Sequence, residues 1–139
     1  MHESLQGATF HVEHVIPQSK GGESTLENLA LAWPGCNLHK AGRTIAADPL
    51  TGERVPLFHP VQQLWSEHFR FKSCEVEGRT AVGRATVVML DLNHFRRQRI
   101  RQVEEVFGLY APNSLRRSVP FKSENFGASL EQHADNLKF

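Results

Sequence analysis

The sequence predicts an α+β fold in which a small β-loop-β-helix module is followed by a strap segment, a small hairpin and C-terminal helices. Three observations lead there. Two short runs of β-forming residues flank a glycine-containing loop near the N-terminus. Proline and glycine pairs between residues 45 and 60 exclude a long regular element. Apolar residues then recur at helical spacing from about residue 81. A chain of 139 residues at ~150 residues per domain holds one domain or one domain with an appendage. Its 40% hydrophobic and 22% charged residues exclude wholesale disorder and a coiled-coil rod.

The first run, Ala8 to Ile16, alternates roughly around Phe10, Val12 and His14, and Pro17 stops it. Gly21-Gly22, within Gln18 to Ser24, marks an irregular loop, and Leu29 to Trp33 reads as the second strand. Pro34-Gly35 turns the chain into a helix of two turns at most, Cys36 to Gly42. From Ile45 to Pro60 the pairs Asp48-Pro49, Thr51-Gly52, Val55-Pro56 and His59-Pro60 predict an extended strap. Val61 to Phe69 reads as an amphipathic helix with Leu64, Trp65, His68 and Phe69 on a core-facing side. Phe71 to Thr80 predicts a hairpin turning near Glu77-Gly78. Thr80 or Ala81 to Leu92 puts Val82, Ala85, Val88, Met89 and Leu92 on one helical face, and Asn93 is placed to cap a basic helix running to Phe107. Residues 111–139 are poor in aliphatics and rich in serine, which predicts a surface-hugging or disordered tail.

Sixteen Lys and Arg against fifteen Asp and Glu give a formal charge of +1, so net charge alone does not announce a polyanion partner. Its distribution says more: Arg79, Arg84, Arg96, Arg97, Arg99 and Arg101 face a single acid, Asp91, in that stretch, an excess suited either to a phosphate backbone or to a solvated helix face. Cys36 and Cys74 cannot form a disulfide framework and are expected to be free thiols. No stretch approaches the ~18 apolar residues of a spanning helix, and Met1-His2-Glu3-Ser4 lacks the plan of a signal peptide. The expected location is the cytoplasm, with no membrane partner.

The residues that carry chemistry lie in Glu13-His14, Asn28 and Asn37-Leu38-His39-Lys40. A β-loop-β-helix element sets the end of its first strand against the start of its helix, so Glu13 and Asn37 can offer oxygens to one hard cation such as Mg²⁺ or Mn²⁺, with positions left for water and phosphate. His14 points away from Glu13 on an ideal strand, but a strand end twisting into a loop brings both toward one site. A neutral imidazole takes a proton from water near neutral pH, and a phosphodiester is the natural electrophile. Asn28, just before the second strand, suits a hydrogen-bonding role that holds the backbone around His14. Lys40 and Arg43 supply cations for phosphate oxygens, and Arg96, Arg97, Arg99 and Arg101 extend that surface.

These residues also give the chain its likeness to a family. With Glu13-His14, Pro17, Gly21-Gly22, Glu27-Asn28-Leu29 and Cys36-Asn37-x-x-Lys40, the sequence resembles HNH endonucleases over about residues 9–43. Pro56-Leu57-Phe58-His59-Pro60, Trp65-x-x-His68-Phe69 and Gly83-Arg84-Ala85-Thr86-Val87 resemble the C-terminal extension of a bacterial subgroup, to about residue 107. The resemblance implies a ββα-metal module, His14 as the group that activates water, Glu13 and Asn37 as metal ligands and Asn28 as the residue that orients the site. It also implies one domain over residues 1–110, with the core motif at 9–43 and a helical extension at 61–107.

Relatives commonly carry two C-x-x-C pairs around a structural zinc. Here no upstream pair exists and the second is reduced to Trp33-Pro34-Gly35-Cys36, so no structural zinc is expected and Trp33 is expected to fill the space. His39 lies two residues beyond the family's final signature position and points to a different helix face. It is a possible additional ligand, and His11 a lesser one; His59, His68 and His94 read as packing or capping residues. The leading functional expectation is thus a metal-dependent endonuclease acting on DNA phosphodiester bonds. The alternative is a non-catalytic nucleic-acid-binding module derived from such a nuclease. Double-strand cleavage by one active site is compatible with a homodimer, which nothing in the sequence indicates.

Overall fold

The computed structural model describes residues 10–108; the expected tail at 111–139 and the start of the first run lie outside them. Strand β1 (His11–His14) pairs antiparallel with β2 (Leu29–Ala32), His11 opposite Ala32 and His14 opposite Leu29. A single turn of 3₁₀ helix, Gln18–Lys20, lies in the loop between them. Helix α1 (Pro34–Lys40) starts two residues earlier than the sequence predicts, with Pro34 in the first turn, where its missing N–H costs nothing. This β-loop-β-helix order is the expected α+β module.

The strap is not wholly extended. It folds into a short antiparallel pair, β3 (Ile45–Ala47) and β4 (Arg54–Pro56). Asp48 sits buried at the mouth of that hairpin, where its carboxylate accepts hydrogen bonds from the Leu50 backbone N–H, Thr51 Oγ1 and, at 2.8 and 2.6 Å, Arg84 Nε and Nη2. These bonds clamp the strap to helix α3 (Ala81–Met89). A second tie runs from the Phe58 backbone N–H to the buried Thr86 hydroxyl, 2.9 Å.

Four expectations are corrected here. The helix expected over residues 61–69 is a single turn, α2 (Trp65–His68), because Phe69 already belongs to strand β5 (Phe69–Lys72). The β5–β6 hairpin, with β6 at Glu75–Gly78, turns at Ser73–Cys74 rather than near Glu77-Gly78, with Ser73 taking the left-handed φ of 54°. Gly78 serves packing instead: a Cβ there would lie 2.3 Å from the Arg84 backbone nitrogen, where α3 crosses the strand. On α3, Val88 faces solvent, 62% exposed, rather than the core. Asn93 is no helix cap either. Its side-chain amide pairs with both backbone groups of Val76, at 2.8 and 2.9 Å, like an added strand residue. His94 caps α4 (Phe95–Val106) in its place, its Nδ1 accepting from the Arg96 N–H.

Cys36, Phe58, Phe69, Val76, Leu90 and Leu92 form the core. Trp65 stacks on Phe69 with ring centroids 4.1 Å apart, and Phe58 meets the same ring edge-on at 4.9 Å. Helix α4 docks on this body through two arginines. Arg97, 2% exposed, lays its guanidinium 4.6 Å above the Trp33 ring and donates to Cys36 Sγ. Arg101, 7% exposed, donates to the carbonyls of Cys74 and Leu92 at 2.8 and 2.6 Å. Trp33 is half-buried as part of this stack. Both cysteines are free; burial pushes the Cys36 thiol up from its ordinary value, and the Arg97 charge works against that shift.

Removing Arg97 strips a buried cation from its partners, so Arg97→Ala should cost about 3 kcal/mol in urea unfolding, whereas the exposed Arg96→Ala should stay within about 0.5 kcal/mol. The Arg84 bonds hold the Asp48 carboxyl well below the usual carboxylate range. Its stabilising effect is therefore complete above the unfolded carboxyl value near ~3.9 and is lost as pH falls toward the folded value. Asp48→Asn should lower Tm at neutral pH and lose less further stability between about pH 5 and pH 2 than the parent chain, as thermal melts across that range will show.

Candidate active site

The loop between β1 and β2 is built around Asn28. Its buried side chain accepts from the Ile16 backbone N–H at 2.8 Å and donates to the carbonyls of Ile16 and Glu23 at 2.9 and 2.8 Å. The Val15 N–H adds a bond to the Asn28 carbonyl, 2.9 Å. Gly22 is required by this clamp, since a Cβ would lie 1.8 Å from the Ile16 carbonyl oxygen and 2.8 Å from the Asn28 amide nitrogen. The backbone just beyond His14 is thus held on both edges.

Lys40, at the end of α1, completes the frame from the other side. Its ammonium lies 2.7 Å from Glu13 Oε1 and donates to the His14 carbonyl at 3.0 Å, with the residue only 8% exposed. Lys40 is therefore not a surface cation for phosphate, as the sequence predicts, but a buried brace between α1 and β1. The Lys side chain is long enough to reach the strand, and the carboxylate and carbonyl give it partners that compensate its burial.

Glu13 and Asn37 line the same cavity. The Asn37 Nδ2 lies 3.3 Å from His11 Nδ1, an arrangement that leaves its Oδ1 as the oxygen for other partners. A carboxylate and an amide oxygen suit a hard divalent cation, with Lys40 occupying one carboxylate oxygen. Among the described residues no three His, Cys, Asp or Glu side chains cluster as a metal cage. Residues that fit a cation here would hold it by Glu13 and Asn37 together with ligands from solvent and substrate. His39 stands apart on α1, exposed, its Nε2 4.0 Å from Asp91.

His14 makes a contact that sequence reading misses: its Nε2 is 2.8 Å from Ser24 Oγ, which also accepts from Gln18 Nε2 at 3.1 Å. A hydroxyl ten residues downstream in an irregular loop carries no periodic signal, so only the loop's folded path reveals it. The basic stretch of α4 divides in two. Arg97 and Arg101 are buried in the helix contact described above, which removes them from any phosphate surface, while Arg96 and Arg99 are exposed. Arg43 is exposed as well and donates to the His39 carbonyl, 3.0 Å.

The HNH endonuclease family matches residues 2–43, which supports assigning this N-terminal segment to the HNH family. That match covers both strands of the first module and α1, the segment holding Glu13, His14, Asn28 and Asn37. No curated protein and no solved structure matched the chain.

If nucleic acid contacts α4, Arg96→Ala with Arg99→Ala should lower the slope of log K against log salt by up to about 0.9 for each phosphate that the two side chains cease to neutralise. Arg101→Met should leave that slope unchanged in whatever fraction remains folded, which fluorescence-anisotropy titrations at several salt concentrations will resolve.

Proposed function

We propose that this protein is a metal-dependent endonuclease that hydrolyses DNA phosphodiester bonds. The observation that carries the reading is the double restraint on one backbone segment: Asn28 fixes Ile16 and Lys40 fixes the His14 carbonyl, so the strand end is preset, with Glu13 lining a cavity and the His14 ring held at Ser24 outside its lining. Prearranged groups contribute to catalysis because little reorganisation is needed at the moment of reaction.

In this mechanism His14 takes the proton of the attacking water, its ring steadied by Ser24. Glu13 and Asn37 would hold a divalent cation such as Mg²⁺ or Mn²⁺, whose charge would offset that developing on the phosphate. Asn28 acts through the loop backbone and touches no substrate; Lys40 positions Glu13 and the His14 carbonyl. We assign the domain to residues 1–110. The family match supports a nuclease-type activity; DNA as the substrate follows from the resemblance to HNH endonucleases, and the ion and the residue roles follow from the donor chemistry and hydrogen bonding of Glu13, His14, Asn28 and Asn37.

A plasmid-nicking assay tests this. Nicking should require Mg²⁺ or Mn²⁺, disappear in excess EDTA, and fall at least about 10²-fold in His14→Ala with the thermal melt preserved. DNA binding that persists without any nicking under all metals would instead establish the non-catalytic binding module.

A further inference from the structure

The wall bearing Glu13, Asn37 and Lys40 belongs to a cavity of about 400 Å³ that runs between the β-loop-β-helix module and the strap. A nuclease site needs a place for metal and phosphate, which is small, polar and wet. This cavity is of another kind. Apolar residues such as Ala30, Ala32, Leu57, Phe58, Pro60 and Leu90 line it away from the Glu13, Asn37 and Lys40 groups, with Thr44, His59, Gln62 and Gln63 as further polar groups. Apolar walls with a few polar groups at this volume are what a flat organic ring binds to.

We propose that the cavity is a base pocket, receiving one nucleobase of the cleaved strand unstacked beside the scissile phosphate. The inference rests on the nuclease reading, because what lies next to a phosphate held at Glu13 and Asn37 is a nucleoside. Its apolar walls accept the faces of the ring, and its polar groups meet the edge. Gln63 is already oriented: its Oε1 accepts from the His59 backbone N–H at 2.8 Å, which turns its amide nitrogen, a donor, to other partners. His59 has both ring nitrogens buried with no hydrogen-bond partner among the described residues. Burial lowers its pKa below the ordinary value, so the ring is neutral and carries one donor and one acceptor nitrogen. A buried polar group without a partner is costly, and a base edge reaching His59 from the cavity it lines would supply one. The two alanines on β2 matter for the same reason. At 5% exposure each they are small residues at the cavity wall, and larger ones would close the space.

The test uses the full chain and oligonucleotides carrying 2-aminopurine or an abasic site at each nucleotide flanking the cut. With His14→Ala and Mg²⁺, binding should raise 2-aminopurine fluorescence at one position only, since unstacking relieves quenching. In the active protein an abasic site at that position should raise KM about tenfold, the scale of losing one stacked base. Ala30→Leu should abolish both the fluorescence rise and the abasic penalty; Ile45→Phe, at a 47% exposed position on the cavity rim, serves if the buried substitution fails to fold. Uniform fluorescence at every position, or variants that respond like the parent, would overturn the pocket while leaving nicking intact. A fluorescence rise at one position in a protein that nicks nothing would overturn the nuclease reading and keep the pocket.

Discussion

The fold depends on a cation placed inside it. Arg97 joins α4 to the N-terminal module by stacking on Trp33 and donating to Cys36, and both of those residues flank or lie in the first turn of α1. A cation over an indole face in a desolvated place is worth about 2 kcal/mol or more, and the helix also brings Arg101 to two carbonyls of the body. The apolar core alone is small. The chain therefore closes around polar side chains whose partners are specified one by one: Arg97 to Cys36, Arg84 to Asp48, Asn93 to Val76, Asn28 to Ile16. Such contacts fix geometry more sharply than interchangeable aliphatic packing does, because each demands particular partner atoms at a set distance and direction.

That character propagates to the candidate site. Helix α1 is anchored at its start by the Arg97 stack, and its last residue, Lys40, reaches Glu13 and the His14 carbonyl. The position of α4 thus bears on where Lys40 holds β1, through a single seven-residue helix. Strand β2 is paired to β1 over four residues, and Asn28 at its threshold closes the loop. His14 and Glu13 sit where all these restraints meet, although they lie on a strand too short to be rigid alone.

How much of this is legible in the sequence follows from the range of each interaction. The module at residues 11–40 is readable because its signals are local: β-formers, a proline stop, paired glycines, and an asparagine before the second strand. Asn28's role is readable for the same reason. The roles of Lys40, Arg97 and Arg101 are not, because a charged residue on a helix reads as surface until the partner is known, and Glu13 is 27 residues from Lys40 while Cys36 is 61 from Arg97. The hairpin turn escapes sequence reading for a related reason. Gly78 looks like a turn residue, yet its missing side chain makes room for α3, while Ser73 takes the left-handed turn without any compositional mark. Periodicity overextends α2 since Trp65 and Phe69 suit either a helical face or, as found, a turn running into a strand.

Burying these cations also limits how the chain can hold a polyanion. At a formal charge of +1 it exerts little long-range pull, and half of the Arg96–Arg101 cluster faces inward, with Lys40 spent on Glu13. Phosphate contacts supply most of non-specific affinity and weaken with every cation removed from the surface. Among the described residues, Arg43, Arg96 and Arg99 remain exposed as cations for phosphate, while Arg97, Arg101 and Lys40 do not. Contacts that displace water at the site can add to phosphate affinity, and Glu13 opens onto such a surface in the apolar cavity under the strap. Whatever occupies the cavity, the strap residues that line it, Leu57, Phe58 and His59, are held by bonds to α3: Phe58 to Thr86, and Asp48 to Arg84.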